Sequence, residues 1–152
     1  MQWLIDHGAD KECSDLYGLT PLHAAAARDQ VEAPRLLLQH NADTEAHAAG
    51  WYGDTPLHRA SNHGYHNVVR LLLSHGANIN ARTMDGSTPL HAASCYPRFE
   101  DVEMREGRLA VARLLLEHGV DVGAKDSKGR TALQAADQSH QEMVKLLSHI
   151  AN

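Results

Sequence analysis

Aromatic side chains are scarce in this chain: 152 residues include one Phe, two Trp and four Tyr. A core made without them must rest on the plentiful Leu and Ala, a composition that favours helices packed closely through small residues. Two cysteines, Cys13 and Cys95, fit neither a disulfide framework nor a metal-ligand spacing. No apolar run nears the ~18 residues needed to cross a bilayer, and the opening MQWLIDHGAD has no basic-then-apolar signal region. These absences imply an intracellular, reducing setting, cytoplasmic or nuclear, with no membrane insertion. Positive charge is also short. The formal net charge is -5, without the clustered Lys and Arg that phosphate contacts require, so nucleic acid is excluded as a partner. There is no Gly-rich phosphate loop after a strand, no Ser nucleophile elbow and no HExxH, so neither catalysis nor a cofactor is expected. Glu100, Asp101, Glu103 and Glu106 read as a solvated acidic run.

What the chain does have is self-similarity, the signal to seek first. TPLH occurs at Thr20–His23, Thr55–His58 and Thr88–His91, with a weaker copy, TALQ, at Thr131–Gln134. Each copy is followed by a second block: LLLQHNAD, LLLSHGAN, LLLEHGVD and KLLSHIAN. The TPLH starts lie 35, 33 and 43 residues apart. Thr before Pro suits an N-cap, whose hydroxyl can accept from an unpaired helix N–H. Pro follows at the first helical position, where its missing N–H costs nothing. Leu22, Leu57, Leu90 and Leu133 point into the core, and the alanines behind them keep the first helix thin. The second helix ends where Gly76 can adopt the left-handed C′ conformation. Polar turns such as residues 78 to 86 suit protruding hairpins.

These motifs closely resemble those of the ankyrin-repeat family, with its ~33-residue unit and T-P-L-H-x-A signature. The resemblance covers residues 2 to 150. It implies an all-α solenoid of stacked helix-turn-helix units with protruding β-hairpin-like loops, forming one domain over 1–152. Its parts would be a half repeat at 1–15 and repeats at about 16–49, 50–82, 83–125 and 126–152. One such unit cannot bury its apolar face alone; stacked neighbours share a continuous core. The half repeat leaves Trp3, Leu4 and Ile5 uncovered, so Met1 is expected to start a piece of a longer array, the alternative being a frayed natural start. It also offers a face for self-association. Gln134 in place of His and a polar last pair resemble a cap. The first hairpin after repeat one has two extra residues within HAAGWYGD, at 47 to 54. Repeat three has ten extra residues near 96–106, between its two helices, because Gly107 keeps the usual distance from Leu114. A Pro97-initiated turn there would put Phe99 and Val102 on one face and pair Asp101 with Arg105.

Twelve histidines invite a metal hypothesis, which the register answers. His23, His58 and His91 belong to TPLH and are expected to hydrogen-bond between adjacent turns. His7, His40, His75 and His118 sit at second-helix ends, where a ring suits the dipole. Equivalent residues recur roughly 8–10 Å apart, too far to share an ion bound at about 2.0–2.1 Å. Only His63 and His66 could pair locally, and no metal is expected.

The resemblance further implies that partners contact the hairpin tips and the exposed end of each first helix. The residues so placed are Leu16, Tyr17, Leu19, Ala27 and Arg28, then Trp51, Tyr52, Asp54, Asn62 and His63. The third repeat supplies Met84, Asp85, Ser87, Cys95 and Tyr96, with Phe99 in the insertion beyond. The fourth supplies Ser127, Lys128, Arg130, Gln138 and Ser139. Four of the seven aromatics fall among those twenty register positions, where even placement would leave about one, and large aromatics dominate binding hot spots. The expectation is a non-catalytic module that binds a protein or peptide. Its rivals are a structural spacer or self-assembly segment, and the targeting arm of a larger enzyme. Asn80, in GANINA, resembles the asparagine hydroxylated in some family members; as a turn residue it would bond its own loop.

Overall fold

The computed structural model describes residues 7–95, 102–136 and 141–150, with the backbone alone at Trp51. Trp3, Leu4, Ile5, Tyr96, Phe99, Gln138 and Ser139, and with them the Pro97 turn and the Asp101–Arg105 pair, lie outside the described residues. The helices fall into four pairs. They are α1 (Pro21–Ala26) with α2 (Glu32–Gln39), α3 (Pro56–His63) with α4 (His66–Ser74), α5 (Pro89–Ser94) with α6 (Val102–Glu117), and α7 (Ala132–Ala135) with α8 (Gln141–Ile150). Among the described residues the only strand-like pairing is an isolated bridge between Ala48 and Asp54. The chain is therefore an all-α stack, as the resemblance implies.

Every first helix starts as the TPLH pattern requires. Thr20, Thr55, Thr88 and Thr131 hold extended N-cap backbone, and Pro occupies the first turn of α1, α3 and α5. The second helices end in left-handed residues: Asn41 at φ 59, Gly76 at φ 83 and Gly119 at φ 76. Each lets the following N–H reach back to a helix carbonyl, from Ala42 to Leu37, Ala77 to Leu72 and Val120 to Leu115. The His75 and His118 rings donate to the Leu71 and Leu114 carbonyls at 2.9 and 2.8 Å, adding to the bonds those last-turn oxygens take from the Ser74 hydroxyl and the His118 N–H.

First helices pack on first helices and second on second, each against its sequence neighbour. Leu22, Leu57 and Leu90 form one buried row, with Ala26, Ala60 and Ala93 fully covered behind them. Val68, Val69 and Leu72 of α4 meet Val111, Ala112 and Leu115 of α6 in the second row. Polar links run along the same axis. The Glu12 carboxylate accepts from Asp43 N–H, Glu45 from Asn78 N–H, and the Asn80 amide oxygen from Asp121 N–H, at 3.0, 2.8 and 2.9 Å. Asn80 thus bonds the next unit with its side chain, not its own loop.

The inserted stretch differs from the sequence expectation. From Val102 onward it is helix, and α6 runs unbroken through Gly107, where the pattern places an inter-helix turn. Glu103, Met104, Arg105 and Glu106 are all strong helix formers, so the extra residues lengthen the second helix backwards. Gly107 serves a close approach instead. It lies against Gly64, and a Cβ on it would come within 2.7 Å of the Gly64 carbonyl oxygen. The next residue, Arg108, is 2% exposed. Its guanidinium donates to the Cys95 carbonyl at 2.6 Å and to the Asn62 amide oxygen at 3.4 Å. The extension is therefore tied to the ends of α5 and α3.

Candidate functional site

Four hairpin fingers stand beside the first helices, each ending in a left-handed glycine: Gly18, Gly53, Gly86 and Gly129. In the first and last, an aspartate at the finger's start accepts backbone N–H groups across the turn. Asp15 takes those of Tyr17 and Leu19, and Asp126 those of Lys128 and Arg130. The third uses Thr83, whose hydroxyl accepts from Ser87 N–H at 3.0 Å. In the second finger Ala48 holds that place and has no side-chain acceptor to offer. Two extra residues enter between Ala48 and Asp54 as a 3-10 turn, Ala49–Trp51, and His47 braces the loop through a 2.8 Å hydrogen bond to the Gly53 carbonyl.

That lengthening leaves Tyr52 at φ 58, a left-handed conformation unusual for a bulky residue. Its ring is not packed away: Tyr52 is 74% exposed. Leu16, Tyr17 and Met84 are exposed too, and these four fingertip residues make up most of the large exposed hydrophobics among the described residues, with Val102 and Ile150. They line up. Tyr17 lies against Gly50, so closely that a Cβ there would meet its ring at 2.9 Å, and Met84 lies against Gly53. Backbone bonds join the tips, from Gly50 N–H to the Tyr17 carbonyl and from Met84 N–H to the Tyr52 carbonyl, at 2.9 and 2.7 Å. The tips thus form one apolar strip across three fingers.

Beside the strip, the fingers and inner helices enclose a groove of about 350 Å³ lined by Tyr52, Asp54, Asn62, Asp85 and Cys95. Burial pushes the Asp54 carboxyl up to about 6, with the Arg59 cation pulling it back and the Asp85 carboxylate adding to the rise. Asp85 is held below the usual carboxylate range, first by the Thr83 hydroxyl. At the groove's far end Arg130 reaches the Asp126 carboxylate through two hydrogen bonds of 2.9 and 2.8 Å.

Sequence register therefore brings Tyr52, Asp54, Asn62 and Asp85 together, and sets Tyr17 and Met84 on the strip beside them. It misplaces His63. That ring stacks on Tyr65 at 5.5 Å and opens into a second groove of about 640 Å³, lined also by Asp29, Glu103 and Glu106. Burial lowers the His63 pKa, and the Arg59 and Arg108 cations lower it further. Arg28 is exposed and Leu19 half-buried, and neither lines either of these two grooves. Among the described residues no group of three His, Cys, Asp or Glu side chains is placed to hold a metal ion, His63 and His66 included.

Reading by register missed two features. Arg108 gives no hint of burial in the sequence. The TPLH histidines, expected to bond between turns, join whole units. His23, His58 and His91 each present Nε2 to the carbonyl just before the next unit's N-cap Thr, those of Asp54, Ser87 and Arg130, at 3.0, 3.1 and 3.0 Å. They therefore anchor the base of each following finger.

Compared with known proteins, the chain matches a family model described as ankyrin repeats (3 copies), at residues 1–83, 52–104 and 83–152. No curated protein matches it.

Proposed function

This chain belongs to the ankyrin-repeat family, and on that premise we propose that it grips a protein or peptide partner through its fingertip strip and adjoining groove. Ankyrin repeats are generally protein-interaction modules and typically non-catalytic. The observation that carries the reading here is Tyr52. A bulky residue in left-handed backbone costs on the order of 1–3 kcal/mol, and a ring 74% exposed recovers little of that by packing within the chain. Strain kept at an exposed aromatic supports a binding role over one of bracing the lengthened finger.

Two substitutions test it. Trp51→Ala and Tyr52→Ala should each weaken partner binding by about 2 kcal/mol or more, checked by pull-down with the parent chain and the double variant, then titration of the recovered partner. Tyr52→Asn separates binding from bracing, because Asn tolerates left-handed backbone. It should unfold at equal or higher urea concentration while losing the partner. Unchanged affinity with the fold intact would sink the proposal. Concentration-dependent dimerisation abolished by Trp3→Ser, read by light scattering, would favour self-assembly instead.

A further inference from the structure

Asp54 differs from the other aspartates of the fingers and turns. Asp15, Asp85 and Asp126 accept hydrogen bonds inside their own fingers, and Asp10, Asp43 and Asp121 close tight turns on their own backbone. Each is explained by the local fold. The Asp54 backbone is used, its carbonyl accepting from Ala48 N–H and His23 Nε2. Its carboxylate accepts from no described residue and forms no ion pair with one, although it is half-buried. Removing a carboxylate from water without giving it a partner destabilises the chain. A neutral residue would remove that cost, as Leu19 and Ser87 do at the same register in neighbouring units.

The surroundings indicate what the carboxylate faces. Within the groove are the ionised Asp85 carboxylate, the Asn62 amide and the exposed Tyr52 ring. Carboxylates beside an aromatic face suit a cation that can bond the first and stack on the second. Among the described residues lining this groove the cation is Arg130, already held by Asp126. The Arg59 cation, outside that lining, also acts on the Asp54 carboxylate. At about 350 Å³ the space is too small for an α-helix, ~10–12 Å across, and admits a long side chain or a short extended segment.

We propose that this groove takes a lysine or arginine side chain of the partner, with Asp54 as its counter-ion and Tyr52 as its cover. The inference rests on the fingertip reading above and deepens it: the strip supplies apolar contact, and Asp54 selects a basic residue within the bound segment.

Selection of short displayed peptides of random sequence against the full chain tests both levels. The expected binders share a Lys or Arg at one position and lose affinity on Tyr17→Ala/Met84→Ala. Asp54→Asn should weaken them roughly thirty-fold, the loss typical of removing one member of a buried charge pair. Replacing the shared Lys by norleucine should cost the parent chain a similar factor and cost Asp54→Asn little more, because the two changes remove one interaction. Asp54→Asn should also unfold at equal or higher urea concentration. Peptides that need the fingertips but share no basic residue, or bind Asp54→Asn as tightly, overturn the inference and leave the fingertip reading standing. A destabilised Asp54→Asn assigns the carboxylate to the fold and overturns the inference alone. Peptides indifferent to Tyr17, Trp51 and Met84, or no binders at all, count against both.

Discussion

Gly64→Ala should lower the unfolding free energy by about 3 kcal/mol or more, against about 1 kcal/mol for Gly76→Ala. Both glycines end a helix in left-handed backbone, at φ 74 and φ 83, so strain from acquiring a Cβ is common to the two. They differ in what that Cβ would meet. Around Gly76 there is nothing within 4 Å, whereas at Gly64 the new atom would sit 2.7 Å from Arg108 N, 2.8 Å from Gly107 C and 3.1 Å from Met104 O. All three are backbone atoms of α6, so no side chain can rotate aside. The helix must move, and it cannot move freely, because Arg108 is bonded to Cys95 and Asn62 from the same turn. Gly107→Ala sharpens the test by sign. Helix propensity alone forecasts a gain of about 1 kcal/mol; contact with the Gly64 carbonyl forecasts a loss. Urea denaturation of the three variants decides. Equal effects at Gly64 and Gly76, or a stabilised Gly107→Ala, would mean that the two backbones do not touch as described.

The same glycine shows how far the sequence could be read. TPLH, its spacing and the LLL blocks are local signals: an N-cap, a Pro that starts a helix, a three-residue apolar face. Each forces its own turn and, repeated, forces the stack. The turn expected at Gly107 had only a distance to Leu114 behind it. Glycine looks alike whether it ends a helix or lets one pass close to another backbone, and the partner in this contact, Gly64, lies far away in sequence. Arg108 was illegible for the same reason, since its acceptors come from two other helices. In the candidate site, register names the exposed fingertip residues Tyr17, Tyr52 and Met84 because finger geometry repeats. Asn62 and His63, grouped by register, enter different grooves, because successive helical residues point about 100° apart. Asp54 was named by register, but that its carboxylate is half-buried with no hydrogen bond from a described residue is visible only in the folded chain.

The links between units make the stack sensitive to acid, and His58 should dominate that sensitivity. His58 is 1% exposed. The Thr55 backbone N–H and hydroxyl lie 3.2 and 2.9 Å from Nδ1, and Nε2 lies 3.1 Å from the Ser87 carbonyl. Only the neutral ring with its proton on Nε2 satisfies all of these: Nδ1 accepts, Nε2 donates. A second proton on Nδ1 would face the Thr55 N–H with a donor. Burial pushes the His58 pKa down to about 4, and burial lowers that of His23 as well. Because the folded pKa lies below the unfolded value of about 6.5, the unfolded chain binds more protons in between. The His58 contribution is therefore complete above about pH 6.5 and falls as pH drops toward 4, by on the order of 3 kcal/mol. Asp54, raised to about 6, offsets part of it by gaining stability on protonation in the same window. His58→Gln tests the assignment, because Gln134 already makes half of these bonds in the last unit, accepting from the Thr131 N–H at 2.9 Å. The variant should cost about 1–2 kcal/mol at pH 7.5 and flatten the loss between pH 6.5 and 4. His58→Ala orphans the Thr55 N–H beside a new cavity and leaves the Ser87 carbonyl only its bonds from Thr83, and should cost about 3–5 kcal/mol. Since the ring spans two units, its removal weakens a nearest-neighbour interface, the quantity that makes a repeat array unfold as one. Denaturation of His58→Ala should accordingly broaden as well as shift. A sharp, merely shifted transition, or an unaltered pH slope in His58→Gln, would place the coupling between the second and third helix pairs elsewhere than in this histidine.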